Sequence, residues 1–427
     1  MFHLGWFFSY CPQGWGEAHS DRGNYFPDPA AYVDFARTLE RAGFDYLMIE
    51  DGSFIPDAYG GSMEYSLRNA FAAPKHDPMA LVPLLVANTS KIGIIATMTT
   101  SFYPPFLAAR LMTTLDHLSN GRVGFNLVTS HNDRTAQNYG LDKQWPHDQR
   151  YEIATDWAKA VTALLYSWDD DAVLDDAEAG VYADHTKVHQ VDYEGEYFST
   201  RGPLNVPPGP QRVPVICQAG GSPVGREFAA TYADTIVAPS GSIESMAEYR
   251  RDVRARVAAH GRNPDDVKVM FLVDVVIGDT HEDALELQRR KHAEAAADVT
   301  QTLARMSFAS GIDFAQFDLD QPVPPIATNA AQTTTAAYFQ GRETMTLREI
   351  ASHIPPTFEI VGSPASAADQ MEAVMDALGG DGFLIGSPVT LRAIADCAGD
   401  LAPELRRRGL IRDSYTQPTF KENLRAF

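Results

Sequence analysis

The sequence predicts an α/β fold, a single (β/α)8 TIM barrel. Short runs of β-branched and aromatic residues alternate with longer segments of helical pattern, which is typical of βα units around a parallel sheet. Eight strand candidates occur, and a helical segment follows each of them. The length of 427 residues suits one barrel with insertions, because such barrels run from about 200 to more than 400 residues.

The individual elements are predicted from their apolar runs and their end signals. A strand over 2–10 precedes a helix over 29–42, for which Asp28 is the expected N-cap and Gly43 the C-cap. The clearest strand pattern covers 268–277. The other strands are predicted at 46–50, 92–98, 123–129, 214–219, 235–238 and 382–385. The main further helices are predicted at 105–118, 151–168, 243–260, 282–297 and 389–407.

Three long segments do not fit the repeat, and they are predicted to be insertions in the barrel. They cover about 52–78, 169–212 and 298–356. Loops this long inside a compact domain are usually functional lids or carry structure of their own. No linker divides the chain, so residues 1–427 are predicted to form one domain.

Charge and composition exclude several classes of partner and location. The net charge of −21 and the pI near 4.9 disfavour binding to nucleic acid and to anionic membranes. Three widely spaced cysteines form neither a disulfide framework nor a zinc cluster, which favours a reducing compartment. The sequence has no signal peptide and no apolar run of about 18 residues. We therefore expect a soluble protein of the cytoplasm.

The turn over 218–226 follows an apolar strand and precedes a helix. Gly220 and Gly221 let backbone amides approach an anion, and a helix N-terminus favours negative charge. Ser222 offers a hydroxyl and Arg226 a positive charge. The turn is therefore either a phosphate site or an ordinary strand-to-helix turn.

Polar side chains also lie at the ends of the third and fourth strands. Thr97 and Asn126 end runs of apolar residues, and His131 follows shortly after. Asn can both donate to and accept from a planar heterocycle. These groups either cap the following helices or form a site, and their occurrence on two strand ends favours a site, because barrel active sites lie there.

Two further sets of residues each allow more than one interpretation. His147 and Tyr151 lie one helical turn apart and either face an anion or a cofactor edge, or belong to a solvated helix face. Glu50 and Asp51 end the second strand, but no further ligands accompany them, and the pair His185 and His189 lies in an irregular segment. No metal site is predicted.

An ordered series of motifs extends over nearly the whole chain. Its members are LDHLSNGR at 115–122, NLVTS at 126–130, AQNYG at 136–140, HD and RY at 147–151, KVH at 187–189, RGPL at 201–204, PVI and QAG at 214–220, DGF at 381–383, and PEL to RGL at 403–410. This series resembles the reduced-FMN-dependent monooxygenases of the bacterial-luciferase superfamily. The group includes nitrilotriacetate, EDTA and dibenzothiophene-sulfone monooxygenases and pristinamycin synthase.

The resemblance implies FMN bound at the C-terminal ends of the barrel strands. It assigns the isoalloxazine and ribityl chain to Asp51, Thr97 and Asn126. It assigns the phosphate side to His147 and Tyr151, and the phosphate itself to Gly220, Gly221 and Ser222.

The resemblance also implies the reaction. Reduced FMN from a separate NAD(P)H:flavin reductase would react with O2 to a C4a-(hydro)peroxyflavin, which transfers one oxygen atom to a small organic substrate. The protein would need to exclude water from the flavin and orient the substrate over the flavin face. Phe7, between Trp6 and Phe8, is the candidate for the substrate pocket wall, and segment 298–356 is the candidate lid, although Trp6 and Phe8 also suit the core. Relatives imply a homodimer or homotetramer.

Two departures from the family pattern affect the chemistry. Phe308-Ala309-Ser310 stands where some relatives carry a His before the glycine, and Phe125 replaces a Trp. We therefore hypothesise that His131 is a local acid or base, with Asn126 as its catalytic neighbour. The alternatives are a deazaflavin-dependent oxidoreductase of the same fold, a non-catalytic flavin-binding protein and a metal-dependent barrel hydrolase.

Overall fold

The computed structural model describes residues 1–12, 26–324, 326–352 and 357–427. The C-terminal end of the third predicted insertion therefore lies outside the described residues. Within the described part, no helix has the length and apolar character needed to cross a bilayer.

Eight parallel strands form a closed barrel. They are β1 (His3–Ser9), β2 (Tyr46–Glu50), β3 (Gly93–Thr99), β4 (Val123–Val128), β5 (Val215–Gln218), β6 (Thr235–Ala238), β7 (Lys268–Ile277) and β8 (Gly382–Ile385). The barrel closes at β1, where Gly5 is in register with Tyr46 of β2 on one side and with Leu384 of β8 on the other. The predicted TIM barrel is confirmed, and each predicted strand is found within two residues of its expected ends.

The two faces of each strand have different neighbours, because side chains alternate along a strand. On β1, Trp6 and Phe8 point outward and their rings pack edge-on against Phe35, with centroids 5.2 and 5.6 Å away. Phe7 points inward, toward the apolar residues that fill the barrel interior. Of these three aromatic residues, Trp6 and Phe8 therefore belong to the core between barrel and helices, and Phe7 faces the barrel axis.

Helices surround the barrel and contribute to the insertions. They are α1 (Pro29–Ala42), α2 (Glu64–Arg68), α3 (Pro78–Asn88), α4 (Pro105–Ser119), α5 (Asp133–Asn138), α6 (His147–Leu165), α7 (Pro223–Tyr232), α8 (Ile243–Ala259), α9 (His281–Ala297), α10 (Val299–Ser310), α11 (Gln332–Phe339), α12 (Leu347–Ser352), α13 (Pro364–Leu378), α14 (Leu391–Ile394), α15 (Ala402–Arg407) and α16 (Phe420–Leu424). Asp28 and Gly43 cap α1 as predicted. A π-helical turn at Ala395–Leu401 joins α14 to α15, so the predicted single helix there is interrupted.

The insertions carry structure of their own. Segment 169–212 contains two short hairpins, and segment 298–356 contains helices α10 to α12 around a small apolar core of its own. A ninth strand, Glu359–Gly362, pairs with the last four residues of β7 beyond the barrel wall. This strand was not predicted, because its four residues form too short an apolar run to be distinguished from a loop.

The bottom of the barrel is closed by the C-terminal segment and by a buried ion pair. Asp45 accepts hydrogen bonds from Arg412 Nε at 2.9 Å, from His3 Nδ1 at 2.9 Å and from the Leu4 amide at 2.8 Å. Burial alone would raise the pKa of Asp45, but His3 and Arg412 hold it below its ordinary value. Phe420 of α16 fills the space beside Gly93, where a Cβ atom would lie 2.6 Å from its ring.

Replacing Arg412 by Met should leave the Asp45 carboxylate buried without its guanidinium partner. We expect the free energy of unfolding to fall by about 3–5 kcal/mol, the usual cost of breaking a buried pair, as measured by urea denaturation. The control Arg348→Met breaks an exposed pair with Asp320 and should leave the midpoint nearly unchanged. An equal loss in both variants would contradict this role of Arg412.

Candidate functional site

Thr97 and Asn126 lie side by side at the mouth of the barrel. They are register partners on β3 and β4, and both are buried. Asn126 Nδ2 donates to Thr97 Oγ1 at 3.0 Å, and this hydroxyl donates to the Ile49 carbonyl at 2.8 Å. Asn126 Oδ1 is buried and has no hydrogen-bond partner among the described residues. Since a buried acceptor without a partner is costly, this oxygen suits a donor on a bound molecule.

Asp51 follows β2 at the same edge of the barrel. Burial raises the pKa of its carboxyl to about 6, although the charge of Lys75 opposes the shift. The Lys75 ammonium itself lies 2.5 Å from Glu50 Oε2. Glu50 also accepts a hydrogen bond from the Ser9 hydroxyl. Asp51 is therefore a half-buried carboxyl, and the nearby Lys75 ammonium is ion-paired with Glu50 instead.

The glycine-rich turn after β5 is held tightly and admits no side chains. A Cβ atom on Gly220 would lie 2.6 Å from Gln218 Nε2 and 2.8 Å from the Cα of Gly225. A Cβ atom on Gly225 would lie 2.7 Å from the Tyr151 hydroxyl. The Ser222 hydroxyl accepts from the Gly225 amide at 3.1 Å and caps α7. The Gly220 amide donates to Gln218 Oε1 at 2.6 Å. The geometry thus brings together the N-terminus of α7, the Ser222 hydroxyl and glycine backbone, a combination that suits a phosphate.

Arg226 does not serve this turn as a cation, contrary to the interpretation of the motif. Its Nε donates to the Gly221 carbonyl at 3.0 Å, and its Nη1 lies 2.9 Å from Asp252 on α8. The guanidinium also lies over the Tyr249 ring, 4.4 Å from its centroid. Arg226 therefore braces the back of the turn, because its charge is already paired.

His147 and Tyr151 lie next to each other in the first turns of α6. Their ring centroids are 5.4 Å apart, and Tyr151 is buried while His147 Nδ1 lies 2.7 Å from the exposed Asp148 carboxylate. Burial raises the pKa of the Tyr151 hydroxyl, against hydrogen bonds with Ser222 and Gln218 that lower it. Tyr151 thus connects α6 to the glycine-rich turn, and α6 begins at His147, where the sequence HDQRY predicts a helix start.

His131 lies in the loop after β4 with its Nε2 atom buried and unpartnered among the described residues. Burial, with a smaller contribution from the charge of Arg150, lowers the pKa of its imidazole to about 4, and Glu50 opposes the shift. The imidazole is therefore neutral at physiological pH. Its ring meets Phe308 of α10 edge-on at a centroid distance of 6.2 Å.

The third insertion covers both ends of this mouth. The buried Arg150 of α6 donates to the Asn329 carbonyl at 3.0 Å, and a Cβ atom on Gly221 would lie 3.2 Å from Thr333 of α11. Phe308 of the same insertion packs on His131. The predicted lid segment therefore lies over the site.

Several residues of the mouth were not predicted from the sequence. Lys75 has no distinguishing local signal in the sequence. Gln218 and Arg150 stand in the QAG and RY motifs, but no role at the site was predicted for them. The signal for Gln218 is that it is a polar residue at the end of a buried strand. The rings of Phe54, Phe71 and Phe308 come together from two different insertions. Phe7 is half-buried among the barrel-interior residues, below the polar groups.

The described residues contain no group of three His, Cys, Asp or Glu side chains that could hold a metal ion. His189 instead lies 2.9 Å from Asp169, and His185 belongs to a separate 3-10 turn.

Comparison with known proteins shows which family has this arrangement. The model of the luciferase-like monooxygenases matches residues 2–382. The chain belongs to the luciferase-like monooxygenases. It is 34% identical to the dibenzothiophene-sulfone monooxygenase of Rhodococcus erythropolis (strain XP) over 99% of this chain and 96% of that protein. It is also 34% identical to nitrilotriacetate monooxygenase component A of Aminobacter aminovorans, over 92% of this chain and 89% of the other.

A solved structure supports the same family assignment. The chain is similar to a riboflavin lyase crystallised with modified FMN and riboflavin, with a TM-score of 0.90, 30% identity, and coverage of 100% of this chain and 96% of that one. The predicted family is thus confirmed, and so is the prediction that the protein is an enzyme of the monooxygenase class.

Replacing Asp51 by Asn should stabilise this luciferase-like monooxygenase in a pH-dependent way. Because the folded-state pKa of about 6 lies above the ordinary value of 3.8, the carboxyl destabilises the fold increasingly as the pH rises through this window. We expect the melting temperature of the variant to exceed that of the wild type at pH 8, with the gain shrinking toward pH 4. The exposed control Asp142→Asn should show no such trend, and a pH-independent gain would contradict the assignment.

Proposed function

We propose that this protein is a two-component monooxygenase that receives reduced FMN from a separate NAD(P)H:flavin reductase. One oxygen atom of O2 enters a small organic substrate and the other leaves as water, with two electrons from reduced FMN. The observation that carries the proposal is the combination of a bare glycine turn with unpartnered polar atoms at one barrel mouth.

The described residues fit FMN at both of its ends. The backbone of Gly220 and Gly221 with the hydroxyl of Ser222 would hold the phosphate, and Tyr151 and His147 would border it. Asn126, Thr97 and Asp51 would hold the ring system and the ribityl chain. When bound, reduced FMN supplies the activation of O2.

The chain itself would orient the substrate, exclude water and move a proton. The third insertion contacts the mouth at Arg150 and at His131, so it would keep solvent from the reacting groups once a substrate is bound. His131 Nε2 is the atom we assign to proton transfer, with Asn126 beside the reacting centre. Phe7 would form the floor below them.

Partners and assembly follow from the family and are proposals for this chain. We expect a homodimer or homotetramer working in the cytoplasm, where NAD(P)H is available to the reductase. Analytical ultracentrifugation of the purified protein measures the assembly.

Stopped-flow absorbance after mixing protein and reduced FMN with oxygenated buffer tests the proposal. We expect a transient, distinct from reduced and oxidised FMN, that outlives the transient of free flavin. Immediate reoxidation without tighter binding of reduced FMN would favour the deazaflavin-dependent or non-catalytic alternatives, which titration with a deazaflavin then separates.

Replacing Gly220 by Ala should weaken binding of reduced FMN. The added methyl group meets Gln218 and the backbone of Gly225, so the turn must open and the phosphate contacts are lost. We expect at least about a tenfold rise in Kd in an anaerobic titration, the equivalent of a charge-assisted hydrogen bond of about 1.5–3 kcal/mol. The control Gly399→Ala, where nothing lies within 4 Å, should bind FMN as the wild type does.

Replacing His131 by Ala should lower turnover about 100-fold, the scale of a lost general acid or base. Because the pKa of His131 is about 4, the wild-type profile should show no inflexion from this imidazole between pH 5.5 and 8. The control His189→Ala removes an exposed imidazole that pairs with Asp169. Unchanged turnover in His131→Ala would remove the proton-transfer role.

A further inference from the structure

Three phenylalanines form what we call the aromatic wall: Phe54, Phe71 and Phe308. The rings of Phe54 and Phe308 are stacked, with centroids 5.7 Å apart and planes at 10°. Phe71 meets Phe308 edge-on at 5.6 Å, and Phe308 in turn meets His131. The wall therefore borders the one imidazole that we assign to proton transfer.

These rings do not belong to the packed interior of the protein. Each is half-buried, and among the described residues none is a member of the apolar clusters of the barrel, its helices or the third insertion, although Phe71 also meets the Tyr65 ring edge-on at 6.1 Å. Ring surface that stays accessible beside His131 is typical of a ligand-binding wall, since small-molecule sites are lined mainly by apolar and aromatic side chains. The wall thus offers ring faces rather than structural packing.

Two of the three basic groups around the wall are already engaged. Lys75 Nζ lies 2.5 Å from Glu50 Oε2, and Arg150 donates to the carbonyls of Trp145 and Asn329. Arg305, one turn before Phe308 on α10, is exposed, and its charge acts on the half-buried Asp274 carboxyl.

The acidic groups are at least as numerous as the basic ones. Glu50, Asp51 and Asp274 lie at this mouth, while His131 is neutral. A substrate with several carboxylates would therefore meet carboxyl groups and one cation without an ion pair among the described residues, the exposed Arg305, and would lose its hydration. An uncharged ring would lose no such interaction.

We propose that the aromatic wall selects a neutral, apolar substrate, preferentially an aromatic one, and excludes polycarboxylates. The inference rests on the proposed function, because it names the substrate class of the same site. Among relatives, dibenzothiophene sulfone and nitrilotriacetate mark the two classes in the names of the proteins that act on them.

Equilibrium dialysis of the FMN-loaded protein tests the proposal with two probes, diphenyl sulfone and nitrilotriacetate. We expect diphenyl sulfone to bind at least tenfold more tightly than nitrilotriacetate. Phe308→Ala and Phe71→Ala should each weaken diphenyl sulfone binding about tenfold, because each removes a ring contact and its buried area. The control Tyr182→Ala removes an exposed aromatic ring on a distant hairpin and should change nothing.

FMN affinity, measured in parallel, separates failure of the inference from failure of the proposed function. Both wall variants should retain the FMN affinity and the circular dichroism spectrum of the wild type. If the wild type binds FMN but prefers nitrilotriacetate, binds neither probe, or is insensitive to both wall variants, the aromatic selection is wrong. If FMN itself does not bind, the proposed function fails first.

Discussion

Closure of the barrel by the pairing of β1 with β8 is the constraint on which the rest of the structure depends. It joins Gly5 to Leu384, residues almost at opposite ends of the chain. Because all eight strands are parallel, closure places all their carboxyl ends on one rim. Residues as distant in sequence as Asp51, Asn126 and Gly220 therefore border one mouth. The opposite rim carries interactions that stabilise the fold, such as the buried Asp45–Arg412 pair.

The sequence alone predicts the barrel well because its signals are local. Apolar runs and caps such as Asp28 and Gly43 act within a few residues, and the eight strands follow from them. The ninth strand, Glu359–Gly362, depends on pairing with β7 rather than on its own pattern. The interruption at Ala395–Leu401 differs, because Gly399 and Pro403 lie inside the predicted helix and a proline removes a helical hydrogen bond, so this break had a local signal.

The residues of the candidate site likewise fall into those that the sequence predicts and those that it does not. The glycine turn, Asn126 and Thr97 are predictable because strand ends and glycines are visible in the sequence. The direction of Arg226 toward Asp252 is not, because it depends on how α7 packs against α8. The aromatic wall is unpredictable for a stronger reason, since Phe54 and Phe308 are about 250 positions apart and meet only through the folding of two insertions.

The separate origin of the wall and the glycine turn bears on how such an enzyme diverges. The groups assigned to the cofactor are fixed by strands and their turns, where a single methyl group would collide with backbone. The wall is carried by loops and by α10, outside every packed cluster. Substitutions at the wall would therefore change the rings that face a substrate without altering the strand ends and the glycine turn that would hold the cofactor. The two tasks of the mouth can change independently of each other.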